Sequence, residues 1–363
     1  MQSLNIAYNP RIDQLRWFAA TIVFLFHFSL ECRAAGGPTI TTSWLGLITE
    51  GHTGVGLFFT LSGFLFMLIA LNKEFIVYKE FIFNRILRIF PLFLAVFLLA
   101  TSISRDKFLP QDIFYLFATN LGNAPTSDTV ITGAAWTISI EFFFYLIFPF
   151  LGRFTIERGA VYLLRLLLLM LFFKLAAYTV NERTTLMFFS TFIGRFDQFL
   201  IGMLTALFYR RHLPKLRSHS GLLLCAATVV IVINSALQAH VAPFGAANSK
   251  EPFWIFWSML ESAGWAFFIV SWVAWGRVLP GWIERALCHG GKISFSFYLL
   301  HMAVIHVFFR FAGLPDMTGH VWLNAAIAVS VVYAITWGLA TLSYKAIEEP
   351  FLMMRRSYGA GRA

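Results

Sequence analysis

Arg16 and His27 are the residues of this sequence whose types and spacing most clearly suggest chemistry. They stand 11 residues apart in the segment RIDQLRWFAATIVFLFHF, which is close to three turns of an α-helix. Both side chains should therefore share one helix face, roughly 16 Å apart along its axis. A histidine retained in an apolar helix usually faces a protein interior or a water-filled cavity and has a function. We predict that His27 has a functional role.

Glu31 follows His27 by four residues, so the two occupy neighbouring positions on one helix face. Glu31 is a candidate to orient the imidazole and to stabilise its protonated form, as a third group does in other acid–base relays. The alternative interpretation is that Glu31 only marks the end of the apolar segment. The spacing alone is compatible with both.

A second basic pair, Arg85 and Arg88, lies at i and i+3 in FIFNRILRIFPLF. Two guanidinium groups on one helix face form an anion clamp that suits phosphates. Taken alone, the pair could equally be an anchor at a membrane surface. Together with Arg16, we expect it to form a phosphate site near the helix that carries His27.

Several other polar residues interrupt apolar stretches. Ser62 and Gly63 in GVGLFFTLSGFLF allow close helix packing or leave room for a ligand arm. Glu141 in WTISIEFFFYLIFP is a candidate acid–base group, because few apolar spans tolerate a carboxylate. In SFSFYLLHMAVIH, Tyr298 and His301 share a face, and His301 is either a second proton-handling group or a packed residue with a satisfied hydrogen bond.

Other charged residues are interpreted as structural. Arg195 and Asp197 predict a buried charge pair, and Glu348 and Glu349 predict a helix stop with ion pairing. The sequence contains no GxxxxGK[ST] phosphate loop, no HExxH and no GxSxG. ATP hydrolysis, zinc chemistry and an α/β-hydrolase triad are therefore excluded, and no metal is expected.

The elements that position these residues are predicted to be membrane spans. Of the 363 residues, 58% are hydrophobic and 13% are charged, with a mean hydropathy of +0.72, which is typical of a polytopic membrane protein. A short segment at 111–119 is expected to be re-entrant or interfacial, within a polar outer loop at about 105–134. We predict an all-α transmembrane helix bundle, forming a single domain over 1–363, with ten spans at 14–31, 53–72, 88–104, 135–152, 160–179, 187–208, 219–238, 256–276, 293–312 and 321–343.

The distribution of positive charge predicts the orientation. With ten spans and a cytoplasmic N-terminus, 20 of the 28 Lys and Arg residues fall in cytoplasmic segments and eight fall elsewhere. This bias follows the positive-inside rule and predicts that both termini are cytoplasmic. It also accounts for the net charge of +10 without nucleic acid, which is not expected as a partner.

Seven motifs in a fixed order make the sequence resemble the acyltransferase-3 family of bacterial envelope O-acyltransferases. They are RxDxLR, Arg-x10-His, FFxLSGF, RxxRIxP, WTxSxEFxxY, RFDQFxIGM and FYLLH. The resemblance runs from about residue 10 to 351. It implies about ten transmembrane helices in the cytoplasmic (inner) membrane. It also implies transfer of an acyl group, commonly acetyl from acetyl-CoA, to a hydroxyl of a carbohydrate or lipid-linked glycan. Some members carry a fused SGNH esterase-like domain, and we expect only the membrane module here.

The resemblance also assigns residues by position. Arg16 and His27 match the essential Arg-x10-His pair of the family, and Arg85 and Arg88 match its Arg-x-x-Arg motif. The other signature segments supply further site residues. The expected catalytic residues are His27, Glu31 and Glu141, and those expected to bind acyl-CoA are Arg16, Arg85, Arg88, Ser62, Gly63 and Tyr298.

These expectations combine into a mechanism. Acyl-CoA would bind from the cytoplasm with its phosphates on the arginines and its pantetheine arm reaching along the first span to His27. The histidine would act as general base on the acceptor hydroxyl or would carry the acyl group itself. The acceptor, the acyl chain beyond acetyl and the oligomeric state stay open. The alternative from another class is a polytopic transporter of an acyl group or small solute, which predicts inverted repeats.

Overall fold

The computed structural model describes residues 4–103, 136–182, 184–243 and 250–359. No β-strand occurs in these ranges, and the predicted all-α helix bundle is confirmed. The predicted element at 111–119 and the whole of the loop at 105–134 lie outside the described residues. The long helices of the described ranges are α1 (Pro10–Ala34), α2 (Thr53–Leu71), α3 (Tyr78–Ile103), α4 (Trp136–Arg158), α5 (Ala160–Val180), α6 (Phe192–Ser218), α7 (Ser220–Val241), α8 (Phe253–Ala274), α9 (Gly281–Ala312) and α10 (Val321–Ser343).

Shorter elements connect these helices. Short helices cover Gly46–Thr49, Thr184–Ser190 and Glu349–Met353, and a 3-10 turn covers Ser43–Leu45. A π-helical turn, Tyr344–Glu348, follows α10 directly. Widened turns of this type recur at functional sites in helices.

In the described ranges, nine helical segments are long and apolar enough to cross a membrane, which supports a multi-pass membrane protein. The last of them joins α10 to the turns that follow it, as far as Met353. The remaining long helix, α6, corresponds to the predicted span at 187–208 and carries Arg195 and Asp197 in its first turns. Both charged side chains are buried, so α6 is less apolar because it lines the interior of the bundle.

Several helices extend beyond the predicted spans. α3 begins at Tyr78 rather than at 88, α9 begins at Gly281 rather than at 293, and α6 ends at Ser218 rather than at 208. An apolar run marks only the part of a helix that lipid or core surrounds, whereas the backbone hydrogen bonds continue through adjacent polar turns. As a consequence, Arg85 and Arg88 lie well inside α3 and are held by a regular helix.

The most buried helix is α2. In its most apolar 18-residue window 78% of the residues are buried, against 17% for α5, so α2 is central and α5 peripheral. Close contact with α6 explains this position. A β-carbon on Gly63 would lie 2.1 Å from the carbonyl oxygen of Phe199, and one on Gly202 would lie 2.0 Å from that of Thr60. Only glycine permits such an approach of two helix backbones.

Helices α1 and α9 pack side by side and run in the same direction. At one end, a β-carbon on Gly291 would lie 2.2 Å from the carbonyl oxygen of Asp13. Further along both helices, His27 contacts His301 through its ring nitrogen, at 2.9 Å. Parallel packing is what a first and a ninth span require when successive spans alternate in direction.

Candidate active site

Three arginines meet at one end of the bundle, and we call them the arginine cluster: Arg16 of α1 and Arg85 and Arg88 of α3. All three line the same cleft. Arg16 lies 3.5 Å from the Asp13 carboxylate, and 32% of its side chain is exposed. The structure therefore brings together the three residues that the sequence assigned to a phosphate site.

Aromatic rings hold Arg85 in place. Its guanidinium carbon lies 5.1 Å from the ring centre of Phe66, 5.6 Å from that of Phe81 and 5.5 Å from that of Tyr145. Its Nη2 donates a hydrogen bond to the Tyr358 hydroxyl at 2.5 Å. Among the described residues, no carboxylate lies within 4.0 Å of this group, so its charge is stacked on rings but not neutralised.

Arg88 differs from Arg85, because an acidic residue pairs with it. Its Nη1 lies 2.9 Å from Oε2 of Glu348, whose side chain is 1% exposed. Ser296 donates a hydrogen bond to the other oxygen of the same carboxylate. The prediction that Glu348 forms a structural ion pair is thus matched by the geometry, and part of the charge of Arg88 is already balanced.

The cleft continues from the arginine cluster between α2, α3, α4 and α9. Apolar side chains form much of its wall, and the polar groups are concentrated at a few positions. The lining residues are Arg16, Val55, Phe58, Phe59, Leu61, Ser62, Arg85, Arg88, Ile89, Thr137, Ile138, Glu141, Tyr145, Ser294, Phe295 and Tyr298. A basic mouth with an apolar continuation suits a ligand that has a charged head and a less polar arm.

Glu141 lines the cleft and accepts hydrogen bonds from two neighbours. Ser62 Oγ donates to its Oε1 at 3.3 Å, and the Tyr145 hydroxyl donates to the same oxygen. One turn before Glu141 on α4, Thr137 Oγ1 donates to the Tyr298 hydroxyl of α9 at 3.1 Å. Predicted site residues from three separate motifs, Ser62, Glu141 and Tyr298, therefore share one cleft.

His27 does not line this cleft but is connected to it through α9. Its Nδ1 lies 2.9 Å from Nε2 of His301, and His301 Nδ1 lies 2.6 Å from the carbonyl oxygen of Tyr298. His301 is buried, and His27 is half-buried. The sequence allows His301 to be either a proton-handling group or a packed residue, and the structure makes it the partner of His27.

The two contacts fix the protons of a neutral histidine pair. A carbonyl oxygen can only accept, so His301 Nδ1 must donate to Tyr298. The Nε2 of a neutral His301 is then an acceptor, and His27 Nδ1 must carry the hydrogen that binds it. In this tautomer His27 presents an unprotonated Nε2, which is the form that acts as a base or a nucleophile.

Glu31 has a different partner from the one expected. The structure pairs His27 with His301 instead, and Glu31 Oε2 lies 4.0 Å from Nδ1 of His306. The side chains of Glu31 and His306 are 39% and 46% exposed. Proximity in sequence placed Glu31 next to His27 on the helix surface, but the packing of α9 against α1 supplies a closer partner.

Gly63 also serves a different purpose from ligand binding. It faces the backbone of α6 at Phe199 and is not among the residues that line the cleft, whereas its neighbour Ser62 is. Of the two uses that the sequence allowed for Gly63, close helix packing is the one that the structure contains. The structure gives Gly63 a packing role, and its expected role in acyl-CoA binding stays a prediction.

A buried ionic network joins α5, α6 and α8, and we call its four charged residues the central network: Lys174, Arg195, Asp197 and Glu261. Lys174 Nζ lies 2.6 Å from Asp197 Oδ2, and Arg195 Nη1 lies 3.2 Å from Glu261 Oε2. The predicted pair of Arg195 with Asp197 is therefore wrong in detail, since each residue has its partner on another helix. In the described ranges, no group of three or more His, Cys, Asp or Glu side chains is arranged to hold a metal ion.

An all-helical membrane bundle with a basic cleft and an oriented histidine is compatible with group transfer at a membrane. The comparison with protein families specifies the class. A family model described as an acyltransferase domain matches residues 9–341. The chain therefore belongs to the acyltransferase-3 family and is an acyltransferase, which disfavours the transporter considered as an alternative.

Individual relatives are consistent with this membership. The chain is 31% identical to acyltransferase MdmB of Streptomyces mycarofaciens over 150 residues, which are 39% of this chain and 38% of that protein. It is 26% identical to nodulation protein 10 of Rhizobium leguminosarum bv. viciae over 376 aligned residues, covering 96% of this chain and 95% of that protein. The match thus spans about two fifths of MdmB and nearly all of nodulation protein 10. No solved structure matches the chain significantly.

Proposed function

We propose that this protein moves an acyl group, acetyl in the first instance, from cytoplasmic acyl-CoA to a hydroxyl of an envelope or exported carbohydrate. The observation that carries the proposal is the single cleft that joins the arginine cluster to Tyr298, next to the His27–His301 pair. The phosphates of the donor would bind the arginines. Its pantetheine arm would extend along the apolar wall toward the histidines.

The helix geometry supports this arrangement of the donor. Arg16 and His27 are separated by three turns of α1, roughly 16 Å along the helix axis. Along α9, the wall of the cleft reaches Tyr298, and His301 is one further turn along that helix. A donor anchored by its phosphates at Arg16 would therefore direct its thioester along α1 toward His27.

His27 would act as the general base. Its Nε2 would take the proton of the acceptor hydroxyl while the oxygen attacks the thioester carbonyl, and the carbon–sulfur bond would then break to release CoA thiolate. His301 would hold the imidazole in the required tautomer and accept from Nδ1 of the imidazolium. The proton held by Nε2 would finally pass to the thiolate or to solvent. Glu141 would contribute to the polar wall near the reacting groups.

The competing mechanism uses the same nitrogen as a nucleophile. His27 Nε2 would attack the thioester, CoA thiolate would leave, and the acyl-histidine would transfer the group to the acceptor. Rapid acid quenching of the enzyme with radiolabelled acetyl-CoA and no acceptor, followed by peptide mass spectrometry, distinguishes the two. An acetylated peptide containing His27 supports the relay, and its absence supports direct transfer.

The orientation is part of the proposal. Tyr358 N donates to Asn5 Oδ1 at 2.8 Å, so the described N-terminal and C-terminal segments lie on the same side of the bundle. Combined with the positive-inside bias, this supports placing both ends and the arginine cluster at the cytoplasmic face of the inner membrane. The acceptor, a carbohydrate or a lipid-linked glycan, would approach His27 from the opposite face.

The activity test uses membrane vesicles that contain the full chain and radiolabelled acetyl-CoA. Label should appear in glycan with the wild-type chain. The Arg85→Ala and Arg88→Ala variants should mainly raise the KM for acetyl-CoA, by about tenfold or more, since each removes a charge-assisted phosphate contact. Unchanged dependence on acetyl-CoA in both variants would remove the phosphate role of the cluster, and wild-type vesicles without labelled glycan would contradict the function.

A further inference from the structure

A second cleft opens beside the first and shares its arginines. The residues that line it are Asp13, Arg16, Arg85, Arg88, Gly291, Lys292, Tyr344, Leu352 and Arg355. Five of these nine residues are cations, and only Asp13 is an acid. Such an excess of one sign in a concave site attracts and concentrates a polyanion.

Arg355 and Lys292 are the cations of the second cleft that do not line the first. Arg355 is half-buried, and its Nε donates to the carbonyl oxygen of Leu352 at 2.8 Å. Among the described residues, no carboxylate lies within 4.0 Å of either cation. Burial, together with the neighbouring charges of Arg88 and Arg85, lowers the pKa of Arg355. The site therefore holds positive charges that repel one another and that an anion would stabilise.

The segment that carries Arg355 is fixed to α3. Asn84 Nδ2 donates to the carbonyl oxygen of Arg356 at 2.6 Å, and Arg356 N donates to Asn84 Oδ1 at 2.9 Å. These paired bonds use only the backbone of Arg356, whose side chain is exposed and faces Glu80. Arg355 is consequently held toward the arginine cluster while its neighbour is directed away.

The order of the two clefts matches the order of groups in CoA. The first cleft leads from the arginine cluster toward the histidines, so it would hold the pantetheine arm and, at its mouth, the diphosphate. Arg355 and Lys292 lie beside the cluster but outside that path. They are therefore positioned for a phosphate beyond the diphosphate, on the side away from the thioester.

We propose that Arg355 and Lys292 bind the 3′-phosphate of the CoA donor. The inference rests on the proposed function and specifies how this site recognises its substrate. A phosphomonoester carries a charge of about −1.5 to −2 at neutral pH and can accept hydrogen bonds from both cations. Donors that lack this group, such as 3′-dephospho-CoA derivatives, would be discriminated against at this position.

Equilibrium binding of CoA and of 3′-dephospho-CoA to the purified full-length protein, measured by calorimetry, tests the inference without an acceptor. The wild-type chain should bind CoA about 10- to 100-fold more tightly than 3′-dephospho-CoA. Arg355→Ala should lose affinity for CoA by a similar factor and should bind the two probes almost equally. Lys292→Ala should act in the same direction with a smaller effect.

Arg356→Ala is the matched control, because it removes the adjacent arginine and leaves the backbone bonds to Asn84 intact. It should discriminate as the wild-type chain does. If Arg355→Ala does not fold, Arg355→Lys and Lys292→Ala carry the test. Equal weakening of both probes by the variants, or a wild-type chain that binds both probes equally, would overturn the inference.

These outcomes are separable from failure of the proposed function. A wild-type chain that binds neither probe would contradict acyl-CoA as the donor and so the proposed function itself. A chain that binds both probes equally and transfers acetyl would retain the function and lose only the role of Arg355 and Lys292.

Discussion

The molecule contains two groups of charged side chains that differ in how their charges are balanced. In the central network, Lys174 pairs with Asp197 and Arg195 pairs with Glu261, and each of these side chains is at most 2% exposed. In the arginine cluster, Arg85 has no carboxylate within 4.0 Å among the described residues, and it lines a cleft.

This difference distinguishes charges that are neutralised inside the bundle from a charge that an anion in the cleft could neutralise. A buried ion pair is costly to desolvate and is retained only when each charge has its partner. An excess of cations at a cleft is stable only because solvent or a bound anion reaches it. Arg88 lies between these two cases, since Glu348 balances it while the cleft still reaches it.

The largest effect on activity is expected at His27. Replacement by Ala should reduce acetyl transfer by about 10²- to 10⁴-fold, the range for loss of a general acid–base group. The thermal unfolding midpoint should stay close to that of the wild-type chain. His306→Ala is the matched control, because this exposed histidine should be dispensable. If the His27→Ala protein retained transfer, the assignment of the catalytic base to His27 would be wrong.

Substitutions in the central network should reduce stability and leave donor binding unchanged, whereas the His27 substitution reduces activity and leaves stability unchanged. Lys174→Met leaves Asp197 buried without its cation, and we expect a loss of about 3–5 kcal/mol in the free energy of unfolding. The protein that remains folded should keep its KM for acetyl-CoA.

The double variant Lys174→Met with Asp197→Leu provides the control for this expectation. Replacing both charges by apolar side chains removes the uncompensated carboxylate, so most of the lost stability should return. Denaturant or thermal unfolding in detergent measures both variants. A change in KM at full stability would show that the network takes part in donor binding.

His301 should have an intermediate effect that depends on its hydrogen bond. Phe at this position removes the acceptor for His27 Nδ1, so kcat should fall by about 10- to 100-fold while the KM for acetyl-CoA is maintained. Gln retains an acceptor and should recover part of the loss. Equal kcat values for the Phe and Gln variants would indicate that His301 acts by packing alone.

The sequence predicted what depends on residues close together in the chain. The three-turn spacing of Arg16 and His27, the shared face of Arg85 and Arg88, and the apolar runs that mark the spans all follow from the geometry of one helix. It could not predict contacts between helices. His27 and His301 are 274 residues apart, and no spacing rule indicates that α1 lies against α9.

The same limit explains the assignments that differ. A small residue in a span, such as Gly63, permits either helix packing or ligand binding. The contact of Gly63 with the backbone of Phe199 on α6 indicates packing, and the sequence cannot show that contact. No motif of the sequence marks Arg355, because its position depends on the two hydrogen bonds that fix the following residue to Asn84. Arg195 and Asp197 are neighbours on α6, yet each finds its ion pair on another helix.

The smallest effect is expected at Glu31, where local spacing and tertiary packing disagree. Its carboxylate lies 4.0 Å from His306 in an exposed pair, which contributes no more than about 1 kcal/mol. Glu31→Gln should therefore leave kcat within about twofold of the wild-type value, since it removes only this weak pair. Rate measurements across pH 6 to 8 provide the check, because a carboxylate that stabilised the protonated imidazole would shift the pH profile when removed. A fall in kcat comparable to that of His301→Phe would restore Glu31 as the group that orients the His27 imidazole. The catalytic site would then include the C-terminal turn of α1.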